Sequence, residues 1–168
     1  MALDVADFNR LVEEHGPALY RLAYRLIGDR HEAEDIVQET FRSAWKSRER
    51  FQQGLGERAW LVAILRRRTA DYWRRSGAQK KRTGSAGLPP DLPSPEPPDQ
   101  GYIDPIQRAL DQLPEELRET FLLVVVGELT HQQAAEMLGV PIGTVLSRVS
   151  RARVRLREAL LAAGIQEK

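Results

Sequence analysis

Apolar residues recur along this chain at steps of three and four, which is the spacing of one buried face of an α-helix. In the first half, the pattern predicts a helix over residues 5–27 that ends at Gly28 and is kinked or restarted by Pro17. Two further helices are predicted over residues 31–48 and 59–75. The last of these opens with apolar residues and ends with arginines, so we expect only its beginning to be buried.

The second half of the chain repeats the helical spacing from Ile106 onward. Pro114 and the two glutamates after it suit the first turn of a helix. Residues 121–126, FLLVVV, are β-branched in a way that favours strands. Because the acidic start and Gly127 bracket a helical length, we expect a buried helix here instead.

Residues 130–157 predict two short helices around a tight turn. Thr130 and Gln133 form a capping-box pattern at a helix start. Gly139 is a left-handed stop, and Pro141 precedes the second helix. The second helix has an apolar stripe at Val145, Val149, Ala152 and Leu156. This is the pattern of a helix-turn-helix, whose second helix enters the major groove of DNA.

Another side of that second helix carries hydroxyl and guanidinium groups. These groups belong to Thr144, Ser147, Arg148, Arg151 and Arg155. One alternative is that they form an ordinary solvated face. We favour DNA contact because a capped helix and a turn precede them, and because five arginines from 148 to 157 meet only Glu158 nearby.

The net charge of +1 conceals two basic blocks. Residues 1–45 carry −4 and residues 46–83 carry +9, whereas residues 84–147 carry −8 and residues 148–168 carry +4. Each basic block therefore follows its own acidic segment. Tyr72 and Trp73 lie among the arginines of the first block, an arrangement that suits unstacked bases as well as phosphates. Trp60 is expected in the core, whereas core and base-stacking roles stay open for Trp73.

A proline-rich segment separates the two halves. Residues 83–104 hold six of the ten prolines and show no apolar periodicity, which is typical of an extended linker. At roughly 3 Å per residue it would reach about 60 Å. We therefore predict an all-α protein with a helical domain at 1–82, a linker at 83–104 and a helix-turn-helix domain at 105–168.

The composition excludes several function classes. The absence of cysteine rules out disulfides and thiolate metal sites within this chain. His31, Glu32 and Asp35 lack the second histidine of a metal-binding H-E-x-x-H helix, and no nucleophile–base pair is visible. We therefore expect neither an enzyme nor a bound cofactor or metal. No segment resembles a signal peptide or a membrane span, so a cytoplasmic location is expected.

Three stretches, taken in order, resemble the extracytoplasmic-function (ECF) sigma factors of the sigma-70 family. AEDIVQETF with AW (33–41 and 44–45) is similar to the family's polymerase-binding helix. AWLVAILRRRTADYWRR (59–75) resembles the helix for the promoter −10 element. LPEELRETFLL, followed by GTVLSRVSRARVRLRE (143–158), is similar to the −35 domain.

This resemblance implies partners and roles that the residues alone do not. It implies that Asp35, Gln38, Glu39 and Arg42 dock on the β′ subunit of bacterial core RNA polymerase, and that the β subunit is a further partner. It implies that Arg66, Arg67, Tyr72, Trp73, Arg74 and Arg75 bind the opening −10 strand, with loop 51–58 capturing an unstacked base. Thr144, Ser147, Arg148, Arg151 and Arg155 would face the −35 duplex. An anti-sigma factor that covers the polymerase-binding faces is a further expected partner.

Two positions depart from the family's pattern. The family commonly has Asn where this chain has Arg67, and Leu146 occupies a site that is often basic. The first departure bears on which base is preferred near the −10 pocket. Because of the second, we expect −35 affinity to rest more on Arg148 and Arg151.

A helix-turn-helix regulator with an N-terminal ligand- or protein-binding module is the alternative function. It would explain residues 130–157 equally well, but it does not explain the +9 block beside aromatic residues. Binding of promoter DNA only in the presence of core polymerase separates the two functions.

Overall fold

The computed structural model describes residues 3–51, 56–83 and 100–165. Within these residues the chain forms seven α-helices and no β-strand, which confirms the all-α prediction. The helices are α1 (Val5–Ile27), α2 (Arg30–Lys46), α3 (Glu57–Thr83), α4 (Gln100–Asp111), α5 (Glu115–Phe121), α6 (His131–Leu138) and α7 (Ile142–Ala162). A 3₁₀ turn (Arg48–Arg50) follows α2, and a π-helical segment (Leu122–Val126) continues α5. In the described part, no helix combines the length and the apolar character that crossing a membrane requires.

Helices α1, α2 and α3 pack together as the first bundle. Side chains of Asp4 and Asp29 cap the N-termini of α1 and α2 by accepting hydrogen bonds from backbone N–H groups. Gly28 ends α1 in the left-handed conformation, as expected. Pro17 lies inside α1 without restarting it, so the restart considered from the sequence was wrong. The stripe of α1 and the apolar start of α3 supply most of this bundle's core.

The helices on either side of the predicted linker are longer than the sequence indicated. Helix α3 continues beyond residue 75 as far as Thr83, and α4 begins at Gln100. Long straight-chain residues such as lysine and arginine favour helix, so the basic block continues the helix instead of ending it. The remaining linker prediction, residues 84–99, lies outside the described residues.

The FLLVVV stretch is helical and buried on one side, as predicted. Its helix widens into the π-helical segment, in which Leu122 and Leu123 are fully buried. The left-handed residue of the following turn is Glu128, at φ +56°, not Gly127, at φ −73°. Gly127 serves close packing instead, because a Cβ there would lie 2.6 Å from the Leu123 carbonyl oxygen and 3.2 Å from Leu22 Cδ2.

The helix-turn-helix forms as predicted. Thr130 and Gln133 make both hydrogen bonds of the capping box, each at 3.0 Å. Gly139 ends α6 at φ +67°, and Pro141 immediately precedes α7. All four residues of the predicted α7 stripe (Val145, Val149, Ala152 and Leu156) are buried.

One hydrophobic cluster joins the two halves of the chain. It contains Leu19 and Leu22 of α1 together with Leu110 of α4 and Leu122 and Leu123 of the π-helical segment. Side-chain bonds cross the same boundary: Arg25 donates to Gln107 at 3.3 Å, and Arg58 and Arg66 form ion pairs with Glu128 and Glu119. The sequence had suggested two bundles connected only by a tether, whereas the described helices share a core.

We predict that Gly127→Ala destabilises the protein, because its methyl group would press on a backbone carbonyl and on Leu22. We expect a loss of about 1–3 kcal/mol in the free energy of unfolding. The shift of the urea midpoint at constant m-value measures it. Gly143→Ala is the control, since a Cβ there meets nothing within 4 Å; we expect no destabilisation from it. Equal midpoints for the two variants would contradict the prediction.

Candidate nucleic-acid interface

Helix α7 carries the five residues predicted to face duplex DNA. The buried stripe against α5 and α6 fixes the helix, so the opposite side is directed outward. Arg151 and Arg155 are exposed, and Thr144 and Ser147 are half-buried. Arg148 differs: its side chain is only 20% exposed, and its guanidinium lies 3.7 Å from the carboxylate of Glu116 on α5. The structure therefore brings together four of the five and turns Arg148 toward α5.

The C-terminal part of α3 carries the six residues predicted for the −10 strand. Arg67, Arg74 and Arg75 are exposed; Arg66, Tyr72 and Trp73 are half-buried. The rings of Tyr72 and Trp73 meet edge to face, with centroids 5.2 Å apart. Burial raises the pKa of the Tyr72 phenol above its ordinary value, and the Glu32 carboxylate adds to the effect.

Acidic residues of α5 lie against this basic surface, a feature that the sequence analysis missed. Glu119 forms an ion pair with Arg66, and a cavity of about 280 Å³ separates α3 from α5. Its lining includes Arg66, Arg67 and Trp73 from one side and Glu115, Arg118 and Glu119 from the other. In the sequence, only the opposite charges of residues 66–75 and 115–119 could have indicated the contact between α3 and α5. They do not specify which of several acidic segments would pair.

The four residues predicted to bind polymerase lie along α2, away from its buried side. Asp35, Gln38 and Arg42 are exposed, while Glu39 is half-buried and accepts a hydrogen bond from Arg42 at 3.2 Å. Asp35 and Glu39 also line a groove of about 540 Å³ between α2 and α3. The other wall of this groove includes Arg68, Tyr72 and Arg75. One groove thus contains members of both predicted sets.

A second cavity lies near the predicted base-capturing loop. Residues 52–55 of that loop lie outside the described residues. Phe51 is buried and packs on Trp60, with ring centroids 4.9 Å apart, so Trp60 belongs to the core on one side, as predicted. The cavity has a volume of about 260 Å³ and is lined by Ser43, Ser47, Arg50, Trp60, Ile64, Arg67 and Arg68. An indole ring beside guanidinium groups suits a planar base and its phosphate.

Potential metal ligands converge elsewhere than at His31. Among the described residues, Glu14, His15 and Glu57 bring a histidine nitrogen and two carboxylates within 4.8 Å of one another. Arg10 already pairs with both carboxylates, at 3.1 and 3.0 Å. Although burial alone would raise it, hydrogen bonds from Arg10 and His15 lower the pKa of Glu57 below its ordinary value. This cluster ties α1 to the start of α3.

Two family models match the chain in the order that the fold suggests. Residues 11–79 match Sigma-70 region 2, and residues 103–156 match Sigma-70, region 4. The first match covers the α1–α3 bundle as far as the basic part of α3. The second covers α4 to α7, including the helix-turn-helix.

Several curated proteins are similar over almost the whole chain. The ECF RNA polymerase sigma factor SigE of Mycolicibacterium smegmatis is 39% identical over 163 residues, which are 92% of this chain and 62% of that protein. The ECF RNA polymerase sigma factor EcfG of Rhodopseudomonas palustris is 34% identical over 154 residues, or 90% of this chain and 83% of that protein. The ECF RNA polymerase sigma factor SigW of Bacillus subtilis is 30% identical over 173 residues, or 94% of this chain and 90% of that protein. The chain thus spans less than two thirds of SigE but most of the other two.

Two solved structures are also similar to this chain over almost its whole length. The sigma factor RpoE of Bartonella quintana, in complex with the anti-sigma factor NepR, has a TM-score of 0.76 and 34% identity, covering 93% of this chain and 98% of that one. CnrH, in complex with the cytosolic domain of CnrY, has a TM-score of 0.69 and 27% identity, with coverages of 95% and 90%. Since both family models match in order and relatives above 30% identity are covered over most of their length, the chain belongs to the ECF sigma factors of the sigma-70 family, which direct RNA polymerase to promoters.

Proposed function

We propose that α2 binds core RNA polymerase, α3 holds the opening −10 strand and α7 reads the −35 duplex. The observation that carries this proposal is the shared groove, in which Asp35 and Glu39 of α2 face Arg68, Tyr72 and Arg75 of α3. A polymerase surface docked on α2 would thereby lie beside the strand bound by α3. The chain itself catalyses no reaction in this scheme, because the polymerase supplies the active site, and it works in the cytoplasm.

The −10 surface combines three chemical elements that a melted strand requires. Exposed guanidinium groups bind phosphates and release counterions. The Tyr72–Trp73 pair offers aromatic faces to unstacked bases. The 260 Å³ cavity beside Trp60 and Arg67 accepts one extruded base, which offsets the few kcal/mol that unstacking costs.

An anti-sigma factor is the partner proposed for the inactive state. One similar structure was solved in complex with the anti-sigma factor NepR, and another in complex with the cytosolic domain of CnrY. On this chain, an inhibitor that covers the α2–α3 groove would block polymerase and the −10 strand together. Mixed polar and apolar surfaces of this kind suit reversible binding.

The domain division 1–82 and 105–168 remains part of the proposal. The two family-model matches, 11–79 and 103–156, support it. In the proposed active state, the two units separate enough to reach two promoter elements at once. The shared cluster between α1 and the π-helical segment would then open.

Run-off transcription with core polymerase and a randomised promoter library tests the whole proposal. We expect selected promoters to share two conserved blocks, and the chain alone to leave them unbound at physiological salt. If the chain binds one operator sequence tightly and does not bind core polymerase, the result favours a helix-turn-helix regulator instead.

For α2, we predict that Asp35→Arg reduces affinity for core polymerase about tenfold or more, because the groove would lose a carboxylate and gain a cation. Competition for core polymerase against a labelled sigma factor measures it. Glu13→Arg is the matched control: it makes the same charge change at an exposed position of α1. Equal loss in both variants would point to net charge instead of the α2 surface.

For α7, we predict that Arg151→Ala lowers the preference for the selected −35 element over a scrambled one by about 1–3 kcal/mol. Arg151 is tested rather than Arg148, because Arg148 already has a carboxylate neighbour. Arg153→Ala, exposed on the same helix, is expected to change affinity equally on both sequences. Titration of the holoenzyme with the two duplexes measures both. A uniform loss for Arg151→Ala would reassign it to phosphate contact.

For α3, we predict that Glu119→Gln strengthens binding of a single-stranded −10 oligonucleotide by the holoenzyme about two- to fivefold, because Arg66 no longer pairs with a carboxylate. The gain should shrink as salt rises. Glu115→Gln removes the same charge from the same helix and leaves the Arg66–Glu119 pair in place. The same gain in both variants would show that only the net charge of α5 matters.

A further inference from the structure

Helix α7 exposes bulky apolar side chains where DNA is proposed to bind. In its first two turns, Ile142 is 44% and Leu146 is 50% exposed. The two residues are four positions apart, so they lie one above the other on the helix surface. Ser150 and Arg153, four and seven positions after Leu146, are exposed and lie beside this apolar row. A recognition helix contacts base edges mainly through its N-terminal residues, which is where Leu146 lies.

Leu146 projects beyond the residues around it. A Cβ at Gly143 would meet nothing within 4 Å, so the helix surface there is open. Ser147 and Ser150, the neighbours on the outward side, have short side chains. A duplex can approach this strip closely. Among Gly143, Leu146, Ser147 and Ser150, Leu146 has the longest side chain.

The chemistry of the major groove offers a leucine one type of partner. Base edges display donors and acceptors, which serve Ser147 and Arg151, and the only apolar group among them is the C5-methyl of thymine. A leucine can neither donate nor accept a hydrogen bond. We infer that Leu146 reads the C5-methyl group of a thymine in the −35 element, an inference that rests on the proposed function.

A protein partner is the competing occupant of this apolar row. The centre of a protein interface is depleted of charged residues. Here the row adjoins the hydroxyl group of Ser150 and the exposed guanidinium of Arg153 on one helix face. This charge favours a polyanion over a protein surface. Because Arg148 is turned toward Glu116, the contacts to base edges fall to other residues of α7.

Replacing thymine by deoxyuracil tests the inference, because it removes the methyl group and keeps every hydrogen bond. Holoenzyme with the full chain is titrated with labelled promoter duplexes in which each thymine of the selected −35 element, on either strand, is replaced in turn. At one position we expect about fourfold weaker binding, the factor that burial of a single methyl group supplies. In holoenzyme with Leu146→Ala, the same replacement should have no further effect. Leu161→Ala, 50% exposed at the far end of α7, should keep the fourfold difference.

The outcomes separate this inference from the proposed function. Sequence-specific binding with no thymine–uracil difference anywhere would overturn the inference and leave the sigma function intact. A thymine–uracil difference that persists in Leu146→Ala would also overturn the inference. The same holds if the selected −35 element contains only G·C pairs, or if Leu146→Ala loses polymerase affinity while its promoter preference is unchanged. Holoenzyme that binds no selected promoter would contradict the proposed function itself.

Discussion

The packing of α1 against the π-helical segment is the interaction on which the arrangement of this protein depends. Leu22 is fully buried there, and the absence of a side chain at Gly127 lets the two elements approach. Each fully buried leucine contributes about 1.5–3 kcal/mol through burial of apolar surface. Helices α1 and α5 thereby take fixed positions. This contact helps to bring the charged side chains of α3 and α5 together, since α3 belongs to the same hydrophobic cluster as α1 and the π-helical segment.

This contact gives α5 a second role besides supporting the recognition helix. Glu116 approaches Arg148 of α7, and Glu119 pairs with Arg66 of α3. One arginine from each proposed DNA-binding surface therefore has a carboxylate neighbour on the same short helix. Partly exposed ion pairs of this kind contribute at most about 1 kcal/mol. Phosphates can replace such carboxylates at little energetic cost, so the arrangement is compatible with exchange between α5 and a promoter.

Local features of the fold could be predicted wherever one segment carried its own signal. The capping box at Thr130, the left-handed glycines 28 and 139 and the α7 stripe all follow from neighbouring residues, and all are present. The π-helical segment was not predictable, because it depends on how Leu122 and Leu123 fit against α1. The end of α3 was predicted at Arg75 instead of Thr83, because charge content marks a change in composition, not the last hydrogen bond of a helix.

The sequence by itself determined the helices, their buried faces and the family, since periodicity, caps and motifs are properties of adjacent residues. It also indicated two basic blocks as candidate DNA-binding surfaces. Only the tertiary structure decided that Arg148 turns toward Glu116, that Asp35 shares a groove with Tyr72, and that Leu146 protrudes from the recognition helix. The reason is physical: the partner of a charged or apolar side chain depends on which helix the core places beside it, and that choice is made by packing between distant segments.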